Sequence, residues 1–251
     1  VLIGKEDVEK RGDPCVHLFG CDPEKPQHIM GIDGNVRDQF SRVIYGSRVS
    51  LSVGFSTVLV AFTIGAALGA IAGFWGGWLD NVVMRIMDVV LGFPALLLAI
   101  AIVSLFSAGL LSVIVAIVVA EVPRVVRLVR SVVLSIREEP YVEAAITAGT
   151  PTPTLLMRHV LPNTIAPLIV QATYVCASAI IIEAILSFLG AGTPPDIPSW
   201  GNIMAEGRTY VMIAFWILLF PGVFLTLVVL GVNLLGDGLR DALDPKLRGR
   251  H

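Results

Sequence analysis

The sequence predicts an all-α membrane protein, and three observations predict it. First, 55% of the 251 residues are hydrophobic, only 15% are charged, and the mean hydropathy is +0.80; an average soluble domain carries roughly 25% charge. Second, long apolar runs recur. No charged residue occurs from Val49 to Leu79, from Val89 to Ala120, from His159 to Ile182 or from Thr209 to Gly236, and about 20 apolar residues suffice for a helix to cross about 30 Å of hydrocarbon. Third, these runs lack the polar/apolar alternation of a membrane barrel. A soluble helical protein with this many buried helices would need a polar shell that the chain has no residues left to build. The same figures exclude a disordered chain and an ordinary cytosolic enzyme. With 18 Lys plus Arg against 20 Asp plus Glu, the formal charge is −2, so no nucleic-acid partner is expected.

Taken in order, residues 1–48 hold 15 of the 38 charges. Within them Val36, Phe40, Val43 and Ile44 share a helical face, which predicts a short amphipathic helix lying at the membrane interface. A transmembrane domain over 49–236 follows, with spans at 50–73, 83–107, 109–129, 164–190 and 211–236. Gly65, Gly69 and Gly73 stand among alanines late in the first span. Small residues let helices approach closely where lipid supplies no hydrophobic drive, so tight bundle packing is the expected use, although G-x-x-x-G is also a dimerisation pattern. Asp80, Arg85 and Asp88, between the first two spans, predict local ion pairs. Pro94, Pro167 and Pro221 are positioned to kink their helices.

Orientation follows from the basic residues. Residues 121–163 hold Arg124, Arg127, Arg130, Arg137 and Arg158, and the tail 237–251 holds Arg240, Lys246, Arg248 and Arg250. The loop 191–210 holds only Arg208. The positive-inside rule places 121–163 and the C-terminal tail in the cytoplasm, and counting spans backwards leaves residues 1–48 outside. Seven Lys or Arg in 1–48 oppose this; an interfacial helix accounts for those nearest the first span. A polar segment left outside without a hydrophobic segment before it implies a further helix upstream of Val1, and hence a six-span protein. Cys15 and Cys21 fall in this external segment. A disulfide, free thiols, or a metal site with His17 and His28 are all open, although C-x-H-x3-C-x6-H matches none of the common paired-ligand spacings.

The region from 130 to 163 carries the functional signal. Residues 138–148 can form a short helix, with Glu138 and Glu139 in its first turn and Ala144, Ala145 and Ala148 as strong formers. Gly149 stands where a left-handed cap would end it. Pro151 and Pro153 bar simple continuation, Thr152 can cap a second helix over 153–160, and Pro162 marks entry to the next span. The expectation is a helical hairpin outside the membrane, about 40 residues long in all, which exceeds an ordinary connection.

These residues resemble a known family. Glu143-Ala144-Ala145, three residues, Gly149, and then Leu161-Pro162 is similar to the signature loop of permease subunits of bacterial ABC importers; His159 stands where that signature usually has an apolar residue. His28-Ile29-Met30-Gly31-Ile32-Asp33 with Arg37-Asp38, Leu186-Ser187-Phe188-Leu189-Gly190, Ser199-Trp200-Gly201 and the tail from Gly236 to Pro245 resemble the second, C-type subunit of the dipeptide/oligopeptide/nickel branch. The resemblance runs from about His28 to the end of the chain.

It implies the transmembrane domain of a type I importer in a bacterial or archaeal inner membrane. The implied partners are a second permease subunit, two ATP-binding cassette ATPase subunits and an extracytoplasmic substrate-binding protein. The loop with Glu143, Ala144, Ala145, Gly149, His159, Leu161 and Pro162 would couple the permease to an ATPase. The chain itself is expected to be no enzyme and to hold no cofactor, since it has no G-x-x-x-x-G-K-[ST] phosphate loop. Glu121 and Glu183 lie inside spans, where an ionisable group either lines a pathway or makes a packing hydrogen bond. An ion-coupled secondary transporter is the alternative, with an intramembrane protease behind it; neither inverted repeats nor a Ser/His or paired-Asp set within the spans supports them. Peptides, nickel chelates and glutathione-like ligands all fit the resemblance.

Overall fold

The computed structural model describes residues 30–33, 37–106, 109–156, 158, 161–212 and 214–243. Cys15, Cys21, His17, His28, His159 and the tail beyond Leu243 lie outside the described residues. The chain is helical along nearly all of its described length: α1 Gln39–Trp75, α2 Gly77–Leu91, α3 Ala95–Leu105, α4 Leu110–Arg137, α5 Pro140–Thr147, α6 Thr152–Leu155, α7 Leu161–Phe188, α8 Trp200–Gly207 and α9 Trp216–Leu243. Among the described residues the extended pairing is a single antiparallel bridge between Ile32 and Asp38.

Among the described residues, three helices are long and apolar enough to cross a membrane unaided: α1, α7 from Pro167, and α9. They match three of the five expected spans. The second expected span is not straight. It splits into α2 and α3, which meet at 91°. The cause is local: Gly92 and Phe93 close α2 with a tightened turn, and Pro94, lacking an N–H, begins a new helix whose first bond is Leu98 N to Pro94 O at 3.0 Å. At 11 residues α3 is only about 16 Å long, too short to cross alone. The third expected span lies in α4, which carries Glu121, Arg124 and Arg127 even within its most apolar 18 residues. The expected interfacial helix is not separate either: Phe40, Val43 and Ile44 belong to the opening turns of α1, and Val36 lies outside the described residues.

The bundle is held by the contact of α1 with α4. A Cβ on Gly65 would lie 2.6 Å from Val125 Cγ1, one on Gly69 2.7 Å from the Val126 carbonyl, and one on Gly73 3.0 Å from Val133 Cβ. Four residues per step puts all three glycines on one face, and the missing side chains allow the two backbones to touch. The small-residue stripe thus serves packing within the chain. One core cluster joins Val53 of α1, Ala99 and Val103 of α3, Val113, Ala116 and Ile117 of α4, and Ala179, Ile182 and Leu186 of α7. A second, at one end, joins Val129 and Val133 of α4 to Val142, Leu155 and Leu156 of the hairpin. A third, at the other end, gathers Val43, Cys176, Ile180, Trp200 and Ile203, with α9 packed outside it.

The outer hydroxyls fit a lipid surface. Exposed Ser52, Thr63, Ser104 and Thr226 each donate to a carbonyl three or four residues back in their own helix, at 2.7–2.8 Å. These four donors are thus satisfied without water.

Candidate functional site

The hairpin begins as α4 ends. Glu138 closes α4 and Glu139, in an extended conformation, precedes Pro140. Neither acid is inside the short helix, so the expected helix 138–148 is trimmed to Pro140–Thr147. Pro140 at the first helical position needs no N–H partner and sets the start. The end is a complete Schellman motif: Gly149 N donates to Ile146 O at 2.9 Å, and Thr150 N to Ala145 O at 3.1 Å, with Gly149 at φ +79°. The left-handed cap expected at Gly149 is therefore present. Thr152 is the first residue of α6 rather than its cap; the α-helical turn ends at Leu155, and Leu156 and Arg158 beyond it are π-helical. Leu161 opens α7 and Pro162 follows it within the first turn.

Val142 and Leu155 are fully buried against Val129 and Val133, so each arm of the hairpin is pinned to α4. The remaining surface of α5 is exposed: Tyr141, Glu143, Ala144, Ile146 and Ala148 face outward. The Glu143 carboxylate makes no bond among the described residues. The result is a small, flat, largely uncharged helical face on a rigid mount, which suits insertion into a partner's groove.

The mount is fastened further by arginines of α4. Arg130 grips Asp80 of α2 through Nε and Nη2 at 2.5 and 2.6 Å. Arg127 donates to Asp88 at 2.5 Å, and Arg137 to the Phe74 carbonyl at the end of α1 at 2.9 Å. Asp80 and Asp88 do form ion pairs, but with α4 rather than with Arg85. The pairing is carried by tertiary geometry that no local spacing encodes.

The two acids inside the helices are fully buried. Glu183 accepts from Ser50 of α1 at 3.1 Å and from Ser187 at 2.8 Å. Ser187 accepts in turn from Thr193 N at 3.2 Å, and Asn202 Nδ2 donates to Thr193 Oγ1 at 2.9 Å. Gly201 fits because a Cβ there would lie 2.5 Å from the Ala184 carbonyl. Trp200 Nε1 donates to the Val43 carbonyl at 3.0 Å. The Leu-Ser-Phe-Leu-Gly and Ser-Trp-Gly stretches thus meet around Glu183 as one polar joint between α1, α7 and α8. Glu121 instead accepts from Ser178 Oγ of α7 at 2.9 Å and from Arg124 Nη1 at 2.8 and 2.9 Å.

At the end opposite the hairpin, Arg42 donates to Asp33 at 2.5 Å and to both oxygens of Glu206 at 2.5 and 3.0 Å. Arg37 bridges the same two acids at 2.6 Å each. Asp33 and Arg37 belong to the sequence stretch already singled out. Glu206 has no sequence signal, being 164 residues from Arg42.

Comparison with known proteins agrees with this architecture. Residues 65–249 match the family of binding-protein-dependent transport system inner membrane components. A putative peptide transport system permease protein of Brucella suis biovar 1 is 47% identical over 226 residues, covering 90% of this chain and 76% of that one. A dipeptide transport system permease protein of Alkalihalophilus pseudofirmus is 46% identical, covering 88% and 73%. A glutathione transport system permease protein of Escherichia coli O6:K15:H31 is 43% identical, covering 89% and 74%. By fold, a chain of the MetNI methionine ABC transporter in an inward-facing conformation superposes with a TM-score of 0.66 at 21% identity, covering 82% of this chain and 97% of that one. These likenesses do not favour the secondary-transporter and protease alternatives. The chain belongs to the binding-protein-dependent transport system inner membrane component family, as a multi-pass permease subunit of an ABC importer.

Proposed function

We propose that this permease carries peptides, or small ligands related to them, handed over by an extracytoplasmic binding protein, and that its hairpin at 138–162 couples it to an ATPase subunit. The reading of the ligand rests on the peptide, dipeptide and glutathione systems to which the similar chains belong. The reading of the hairpin rests on its geometry: an exposed alanine-rich face, closed by a Schellman cap and pinned to α4 through Val142 and Leu155.

In this reading the hairpin end is cytoplasmic, in line with Arg130 and Arg137 at that end of α4, and so is the C-terminus. A second permease subunit completes the pathway. Two ATPase subunits bind and hydrolyse ATP beneath it. Their closure pushes on the hairpin, and α4 carries the push into the bundle, biasing an inward-open against an outward-open arrangement. The sequence pattern includes His159, Leu161 and Pro162; in this proposal Leu161 and Pro162 set where α7 resumes after the hairpin.

Ala144→Arg in the assembled transporter tests the coupling role. Ala144 is exposed, so the fold should tolerate the change. The expected result is loss of ATPase subunits on purification while the permease pair survives. Retention of the ATPases with ATP-driven uptake intact would remove the hairpin from the coupling role.

A further inference from the structure

Beyond its core-packed first half, α4 turns a different face outward. Arg124, Arg127, Ser131 and Ser135, at steps of three to four residues, form one continuous track toward the hairpin. Arg124 lies 14 residues into the helix, roughly 21 Å from Leu110. A helix entering the bilayer near Leu110 therefore still has Arg124 within the hydrocarbon depth of about 30 Å. A third of the Arg124 side chain is exposed there. An arginine cannot satisfy all five of its N–H groups on its own helix as the outer serines and threonines satisfy their single donors, and lipid contact at that depth is costly. The track therefore faces water or protein, not lipid.

The geometry of Arg124 is specific. Both oxygens of buried Glu121 converge on one nitrogen, Nη1. Among the described residues Nε and Nη2 bond to nothing. Glu121 is itself steadied by Ser178 of α7, which shares a helix face with the exposed Tyr174. The neighbouring Arg127 is already committed to Asp88. What remains open is the planar two-donor edge of a guanidinium, oriented by a buried acid. That edge matches a carboxylate in bidentate fashion.

We propose that Arg124 is a carboxylate-recognising residue in the wall of the translocation pathway, and that Glu121 is its positioning residue. The ligand chemistry is a free carboxylate on the transported molecule, as at the C-terminus of a peptide. The proposal rests on the peptide-importer reading above and adds to it the group that meets the ligand inside the membrane.

The test uses the complete transporter, with both permeases, the ATPases and the binding protein, in proteoliposomes supplied with a panel of radiolabelled di- and tripeptides. Arg124→Gln should lower uptake at least tenfold. Arg124→Lys, which keeps a charge but not the fork, should retain more uptake than the Gln variant. Uptake by Arg124→Gln within twofold of wild type would overturn the proposal. So would a Lys variant as impaired as Gln, which would mark a merely structural role. So would loss of the second permease subunit from the purified Arg124→Gln complex, which would make Arg124 an intersubunit contact. Failure of the wild-type complex to take up any of the peptides would refute the peptide reading itself, and the proposal with it.

Discussion

Gly149→Ala should weaken the hold of the hairpin on its ATPase while leaving the bundle intact. Gly149 sits at φ +79° and no atom lies within 4 Å of where its Cβ would go. The cost is therefore pure backbone strain, about 1–2 kcal/mol for an L-residue in the left-handed region. That strain falls on two bonds, Gly149 N to Ile146 O and Thr150 N to Ala145 O, which fix the exit from α5. It corresponds to a factor of about 5–30 in the population of the native cap. The anchors Val142 and Leu155 are untouched. Titration of purified ATPase subunit onto the permease pair should give a Kd raised about 5- to 30-fold, with the thermal midpoint of the permease unchanged. Gly149→Asn should lose less, because Asn visits this conformation more readily. Gly149→Asp, which adds a charge beside the alanine face, should abolish coupled transport. Wild-type affinity for the Ala variant, or an Asn variant weaker than Ala, would refute the reasoning.

Other perturbations reach different parts of the molecule. Gly69→Ala should destabilise the bundle by about 1–3 kcal/mol through overpacking against Val126 and Val129, read as a lower unfolding temperature in detergent; an unchanged midpoint would contradict the close α1–α4 contact. Glu183→Ala should cost about 1–3 kcal/mol for each buried hydroxyl left without its acceptor, with Glu183→Gln milder in the same assay. Arg42→Ala should cost about 1.5–3 kcal/mol, because it removes one of the two arginines that bridge Asp33 and Glu206 while Arg37 keeps both acids paired. Since this cluster is largely buried, added salt should not reproduce the loss.

What the sequence disclosed was local in range. The hairpin was legible because its signals are short-range: Gly149 four residues after Ala145, and prolines beyond. Even so, its first helix starts at Pro140 and not at 138, because α4 keeps its helical bonds through Arg137 and takes Glu138 as its own terminus. The spans of α1, α7 and α9 follow from hydropathy alone. The second span does not, because hydropathy is blind to the turn at Gly92 and Pro94 that sets α3 at 91° to α2. Which acid meets which arginine was not legible either. Asp80 and Arg130 are 50 residues apart, and Glu206 and Arg42 are 164 apart. Those choices are made by helix packing. Glu183 illustrates both sides: its position in a span was legible, but its partners Ser50 and Ser187, and the links from Ser187 to Thr193 and from Thr193 to Asn202, were not.

The glycine-lined contact between α1 and α4 has a mechanical meaning. Two backbones in direct touch over about two turns have no long side chains between them to repack, so the joint has little play. A 37-residue helix is about 55 Å long. A tilt of about 5° imposed at its Trp75 end would swing its Gln39 end by about 5 Å over that length. The far end carries Arg42, clasped to Asp33 and Glu206. A small push at the hairpin would thus arrive, magnified and almost without slack, at the ionic clasp on the opposite side of the membrane.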